Sequence, residues 1–362
     1  SDRYIFLFLN TFIRYNGNYT AFYNDVWQFH NESFDYLYDI YFQNSIAFKS
    51  QVIYQLFNSL KINIDNDLIG FLYHLFCSSI GLVFTFKIAQ EFLGKEEIYK
   101  ALAVTFSLAV YVNILHQTAD SSWVSSHTAT PTLLAKALMF PLIWLALKKN
   151  WFLAAIISAI MMLSSLKLAW FPIGVCIFFA ILSKDKRLIR LGWIIVPIIV
   201  AIFLLFSNLD TNISSLQVKQ ELWDNLVSHD KIETFFHLHN KWSLFAFFFS
   251  FFLFWLLIQK LKKNSPQKSM ALIILFTSMP LAFLGWLYGL YGKSFFPEPQ
   301  LMILSPVRAM DLYQFFFGML ASITLVNLRI PIITIAGFLA SFVYYFYALH
   351  LVPILLLGSY II

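Results

Sequence analysis

Long uninterrupted apolar runs are the feature that most restricts what this chain can fold into. About 20 helical residues cross a bilayer core of about 30 Å. Eight runs come close to or exceed that length, and a ninth, shorter run ends the chain: 68–93, 98–115, 132–147, 187–206, 242–260, 269–291, 311–328, 331–347 and 351–362. Only 12% of residues are charged, about half the share in soluble domains. Barrel strands would alternate in polarity, and these runs do not, so an all-α polytopic membrane helix bundle is predicted.

One apolar segment, 151–183, is too long for a single crossing, because as one helix it would measure about 50 Å. We interpret it as a hairpin of two short helices, 151–166 and 169–183, turning near Lys167, Trp170 and Pro172. With this hairpin, 68–362 is predicted to hold about ten helices.

The charged residues predict the orientation of the chain in the membrane. Thirteen of the 25 basic residues fall in the short links that begin at Lys95, Lys148, Lys184, Lys260 and Arg329. The longer connections 1–67, 116–131, 207–241 and 292–310 hold 14 of the 19 acids. Basic links stay in the cytoplasm, so these four connections, including the loop 207–241, are predicted to be external. The net charge of +6 therefore reflects orientation, and no nucleic-acid partner is predicted.

The segment 1–67 is predicted to be external or periplasmic and to contain interfacial helices, one of them at Ile5–Ile13. This run is too short to span a bilayer. Because the chain begins Ser-Asp, without Met, on the predicted outer side, we expect a first membrane helix to be missing ahead of it.

Motifs of soluble enzymes are absent: the sequence has no Gly-rich phosphate loop, CxxC pair, HExxH or GxSxG. Cys77 and Cys176 lie in apolar runs and are predicted to be small buried side chains. Chemistry is therefore expected at the outer surface.

Acidic residues of the first external segment are the candidate catalytic groups. Asp2 and Asp25 stand among aromatic residues, where a carboxylate acts as a base or holds a divalent cation, Mg²⁺ or Mn²⁺. His30 and Glu32 are candidates to support that site, as are His237 and His239 from the loop 207–241. The alternative for each is a solvated or interfacial loop residue.

Three cations lie at the predicted outer ends of apolar helices: Lys136, Lys167 and Arg308. A basic residue inside a span is costly and commonly lines a functional cavity. One interpretation is that these residues bind the phosphate of a lipid-linked substrate, with Arg as a fork of donors and Lys as a point charge. The alternative is that each side chain extends to the membrane surface.

The order of these parts resembles the type-C glycosyltransferase fold of polyprenyl-phosphate-sugar-dependent membrane enzymes, and related uncharacterised bacterial multi-spanning proteins. Asp2 matches the acid that follows the first helix of that fold, and Asp25, in Tyr23-Asn24-Asp25, resembles a second acidic position in the bacterial relatives. The stretch Pro131–Leu138, which contains Lys136, and the stretch Ser305–Arg308 resemble the same proteins. The resemblance implies a long external loop after the first helix and a lipid-linked sugar as substrate.

These observations lead to two functional hypotheses. The first is inverting transfer of a sugar from a polyprenyl-phosphate donor to an acceptor at the outer face of a bacterial inner membrane. The second is a non-catalytic transporter or flippase, or a binding subunit of an envelope assembly. Transporters place ionisable groups near mid-membrane, whereas the ionisable residues here gather at the outer rim, with Lys87 as the main exception. That distribution favours the first hypothesis.

Overall fold

The computed structural model of the chain describes residues 67–111, 131–183, 199, 251–295 and 309–327. Every regular element within these residues is a helix, so the predicted all-α class is confirmed for this part of the chain. The helices are α1 (Asp67–Leu93), α2 (Ile98–Tyr111), α3 (Pro131–Leu147), α4 (Trp151–Ser164), α5 (Leu166–Leu182), α6 (251–259), α7 (Pro266–Phe295) and α8 (Ala309–Asn327).

Three of the described helices are long and apolar enough to cross a membrane, and the candidate spans are Leu75–Leu93, Pro266–Gly285 and Ala309–Asn327. Shorter apolar helices fill Leu133–Leu147, Trp151–Ser164 and Leu168–Leu182. The protein is therefore a helical membrane protein. Several predicted parts lie outside the described residues: the external segment up to residue 66, the loop 207–241, the spans 331–347 and 351–362, and all but residue 199 of the span 187–206.

The chain divides into two compact units, with one boundary inside α1 between Leu82 and Val83 and another inside α7 between Tyr291 and Gly292. In the first unit, α3, α4 and α5 pack against one another in all three pairs. The first part of α1 joins this unit through Cys77, which packs with Leu133 and Ala137 of α3. Both cysteines are buried and free, as the sequence predicts.

In the second unit, aromatic side chains surround the buried helix α8. Phe254 of α6 meets the ring of Tyr313 edge-on at 5.1 Å and that of Phe317 at 5.9 Å. Phe92, near the end of α1, meets Phe316 at 6.2 Å, and α2 packs along α8 as well. Edge-to-face pairs at these distances are favourable and fix the rotation of a helix about its axis.

Large apolar side chains are also exposed, and they form stripes along single helix faces. On α7 the stripe includes Phe276, Pro280 and Leu284, which are four residues apart. On α4 it includes Phe152 and Ile156. Such continuous apolar exposure is unfavourable in water, whereas in a membrane these faces contact lipid.

The link between α1 and α2 requires a left-handed residue, Gly94, with φ of 108°. Its N–H donates to the carbonyl of Gln90 at 2.9 Å and so closes the C-terminus of α1. A Cβ at this position would meet no atom within 4 Å, so only the backbone conformation opposes a side chain. We expect Gly94→Ala to lower the free energy of unfolding by about 1 kcal/mol, measured from thermal or denaturant unfolding in detergent.

Gly174, inside α5, is the matched control for this substitution. A Cβ added there also meets nothing within 4 Å, but alanine suits a helix interior better than glycine. Gly174→Ala is therefore expected to raise the free energy of unfolding by about 0.5–1 kcal/mol. Equal changes of unfolding free energy, with the same sign, in Gly94→Ala and Gly174→Ala would contradict the proposal that backbone conformation causes both effects.

Candidate functional site

Of the residues proposed from the sequence, the structure describes two, Lys136 in α3 and Lys167 in α5. The other proposed site residues lie outside the described residues: Asp2, Asp25, His30, Glu32, His237, His239 and Arg308. The first unit therefore holds both described candidates, and we build the candidate site from there.

A three-residue link joins α3 to α4 and reverses the chain. Lys149 adopts φ of 56°, its N–H donates to the carbonyl of Ala146, and the N–H of Asn150 donates to the carbonyl of Leu145, both at 2.9 Å. This is the Schellman pattern, in which a left-handed residue ends a helix. The side chain of Asn150 then accepts from the N–H of Leu153 and caps the start of α4. One short link thus closes both helices, and α3 and α4 form a helical hairpin.

The hairpin sets the height of Lys136 along the helices. Lys136 lies 11 residues before Leu147, and Met162 lies 11 residues after Trp151. At 1.5 Å per residue, each is about 16 Å from the link. Lys136 is therefore level with the last turn of α4, at the end of the hairpin where α5 begins.

A single extended residue, Ser165 (φ −165°, ψ 106°), separates α4 from α5. Its N–H donates to the carbonyl of Met161 at 2.8 Å, and its own carbonyl accepts from the N–H of Ala169 at 3.1 Å. The predicted division of 151–183 into two helices is confirmed, but the predicted position of the turn is wrong. Trp170 and Pro172 lie inside α5, which begins directly after the extended residue Ser165.

Lys167 lies in the first turn of α5, at the same end of the first unit as Lys136. The structure therefore places the chain positions of two of the three predicted phosphate-binding residues at one end of a helical unit. The buried hydroxyl residues Ser164 and Ser165 directly precede α5 in the chain.

Lys136 is enclosed by protein, with only 7% of the residue exposed. Its neighbours on both sides in α3, Ala135 and Ala137, are buried as well, so the helix is covered around its circumference at this level. A buried ammonium is costly unless polar or anionic groups compensate it. The side chain of Lys136 is therefore surrounded by protein in the first unit.

A second buried ionisable residue, Asp311 of α8, belongs to the second unit and was not singled out from the sequence. It lies in the first turn of α8, where the helix dipole favours a carboxylate, and it is 7% exposed. Gln314 lies three residues later, on the same side of the helix, and is equally buried. The signal in the sequence was an acid and an amide three residues apart at the start of an apolar run, shortly after Arg308.

The polar pair and the aromatic contacts of α8 occupy different faces of this helix. With 3.6 residues per turn, Asp311 and Gln314 lie on one side, and Tyr313 and Phe317, which touch Phe254, lie about a third of a turn away. The aromatic contacts thus fix the direction in which the polar pair faces.

The described residues contain no group of three or more His, Cys, Asp or Glu side chains able to hold a metal ion. The predicted divalent cation was assigned to Asp2 and Asp25, which lie outside them, so it stays a prediction.

Comparisons of the chain with protein-family models, curated proteins and solved structures found no match. The resemblance to the type-C glycosyltransferase fold therefore depends on the order of parts in the sequence and on the short stretches around Asp25, Lys136 and Arg308.

Proposed function

We propose that this membrane protein transfers a sugar from a polyprenyl-phosphate donor to an acceptor at the outer face of a bacterial inner membrane. The observation that carries the proposal is the buried cation Lys136 at the end of the α3–α4 hairpin, with Lys167 at the same end. A cation enclosed by apolar helices attracts an anion more strongly than one in water. A lipid-linked phosphate supplies such an anion, and its hydrocarbon chain can lie among apolar helices.

The proposed reaction is a displacement at the anomeric carbon of the donor sugar. The acceptor hydroxyl forms the new glycosidic bond, the bond to the phosphate oxygen breaks, and polyprenyl phosphate leaves with the bonding electrons. A carboxylate, Asp2 or Asp25, takes the proton of the acceptor hydroxyl. Lys136 and Lys167 stabilise the negative charge that grows on the departing phosphate. A divalent cation at Asp2 and Asp25 would add to that stabilisation, but no step requires it.

The test is to follow a radiolabelled polyprenyl-phosphate sugar in liposomes that contain the purified full chain. Bond formation is the expected result: label moves from the lipid to a water-soluble or protein acceptor, and free polyprenyl phosphate is released. A panel of donor sugars and acceptors identifies the substrate, with liposomes lacking the protein as the control.

Movement of the intact lipid-linked sugar between leaflets, without release of polyprenyl phosphate, is the contrary result and favours a flippase. Full transfer activity after alanine substitution of Asp2, Asp25 and Arg308 together would overturn the proposed site even if sugar transfer were observed.

A further inference from the structure

The link between α6 and α7 carries a concentrated positive charge. Four lysines lie within nine residues, at Lys260, Lys262, Lys263 and Lys268, and no acidic residue occurs between 251 and 295. Lys260, Lys262 and Lys263 are exposed. Within the described residues, Lys262 and Lys263 make no ion pair. We call residues 260–268 the basic link.

Several hydrogen bonds hold the basic link in one conformation. The side chain of Ser265 accepts from the N–H of Lys268 at 3.1 Å and caps α7, with Pro266 in the first helical position, as is favoured there. Nζ of Lys268 donates to Oε1 of Gln259 at 3.1 Å. Nε2 of Gln267 donates to the carbonyl of Glu91 in α1 at 2.7 Å. The exposed lysines are thus displayed by a structured turn.

The neighbouring link, between α1 and α2, lies at the same end of the second unit, because the bond from Gln267 to Glu91 joins the two. Its charges are balanced: Lys95 and Lys100 are accompanied by Glu96 and Glu97, and Lys100 pairs with Glu97 at 2.9 Å. Among the described residues, the excess positive charge at this end of the unit therefore belongs to the basic link.

The exposed apolar residues of α6 indicate how deep the basic link lies in a membrane. Phe252 and Trp255 are exposed and stacked on each other, and tryptophan is enriched where hydrocarbon meets headgroups. Lys260 follows Trp255 by five residues, about 8 Å along a helix. The headgroup layer is about 5–8 Å thick on each side of the bilayer core. With Trp255 at the interface, this distance would place the lysines at the level of the lipid phosphates.

We infer that the basic link is a binding site for anionic phospholipid headgroups, and that Lys262 and Lys263 contact their phosphates. Lysines near a charged membrane surface are attracted to anionic lipids, and a structured turn loses little conformational freedom when it binds. The membrane level of the link favours a lipid over a soluble acidic partner. This inference is independent of the proposed sugar transfer.

The test measures binding of phosphatidylglycerol and phosphatidylcholine to the purified full chain in detergent micelles, by native mass spectrometry over a lipid titration. The wild type is expected to bind phosphatidylglycerol at least tenfold more tightly than phosphatidylcholine. Lys262→Gln with Lys263→Gln should weaken phosphatidylglycerol binding about tenfold, and Lys262→Arg with Lys263→Arg should leave it within about twofold of the wild type. Lys148→Gln with Lys149→Gln, which removes the same charge from the α3–α4 link, is the matched control and should have a smaller effect.

Three outcomes would overturn the inference. One is equal binding of the two lipids by the wild type. Another is an equal loss of binding in the Lys262/Lys263 and Lys148/Lys149 double variants, because overall charge would then explain it. The third is displacement of the lipid by millimolar glycerol phosphate, which would indicate a site for small anions. Thermal unfolding midpoints of all variants distinguish loss of the site from loss of the fold.

Discussion

Replacement of Lys136 by methionine is expected to lower the rate of sugar transfer about a hundredfold or more. Methionine has a similar length and keeps the apolar packing of α3, where Lys136 is buried, but it removes the positive charge. Loss of one group that stabilises charge developing in a transition state commonly costs a factor of about 10²–10³ in kcat. Turnover of the radiolabelled polyprenyl-phosphate sugar by wild type and variant measures the effect.

Lys148→Met is the matched control for this prediction, since Lys148 is exposed at the other end of the same helix. This control should transfer sugar at nearly the wild-type rate. Thermal unfolding of both variants shows whether a Lys136→Met variant with slower transfer is still folded. Wild-type turnover by folded Lys136→Met would remove this lysine from the proposed phosphate site.

Truncation of Phe254 to alanine should cost about 3 kcal/mol of unfolding free energy, the largest stability effect expected here. Phe254 is fully buried and contacts the rings of Tyr313 and Phe317. In a membrane the lost free energy comes from van der Waals contacts between helices, because the ring would otherwise be surrounded by lipid and not by water. Titration with a denaturing detergent, followed by circular dichroism, gives the difference in free energy.

Phe252, two residues earlier on α6, is the matched control because half of it is exposed. Phe252→Ala should change the unfolding free energy by about 0.5 kcal/mol or less. Equal losses for the two variants would mean that the α6–α8 aromatic contacts do not stabilise the second unit.

The apolar runs predicted the helices of the described residues closely, and the errors have a physical cause. The run 68–93 matches α1 within one residue, whereas the run 269–291 underestimates α7, which spans Pro266–Phe295. Hydropathy locates the part of a helix that lies in hydrocarbon, and α7 continues beyond it at both ends. The signal for its true start was local: a capping Ser265 followed by Pro266.

The site was less predictable than the helices. Lys136 and Lys167 were identified because a basic residue in an apolar run is unusual. That both lie at one end of the first unit could not be predicted, because no local sequence pattern indicates that the first helix of 151–183 ends before Ser165. Asp311 was overlooked because it is the first residue of its apolar run, and an acidic residue is common at the start of a helix. Its burial depends on helices far away in the sequence, including α6 with Phe254.

The hydrogen bond from Gln267 to the carbonyl of Glu91 has a consequence for biosynthesis. The two residues are 176 positions apart, and a ribosome adding 5–20 residues per second takes about 9–35 s to cover that distance. Over this interval α1 is already made, while the carbonyl of Glu91 lacks the Gln267 side chain that donates to it in the folded protein. We expect water at the membrane surface to bind this carbonyl until α7 emerges.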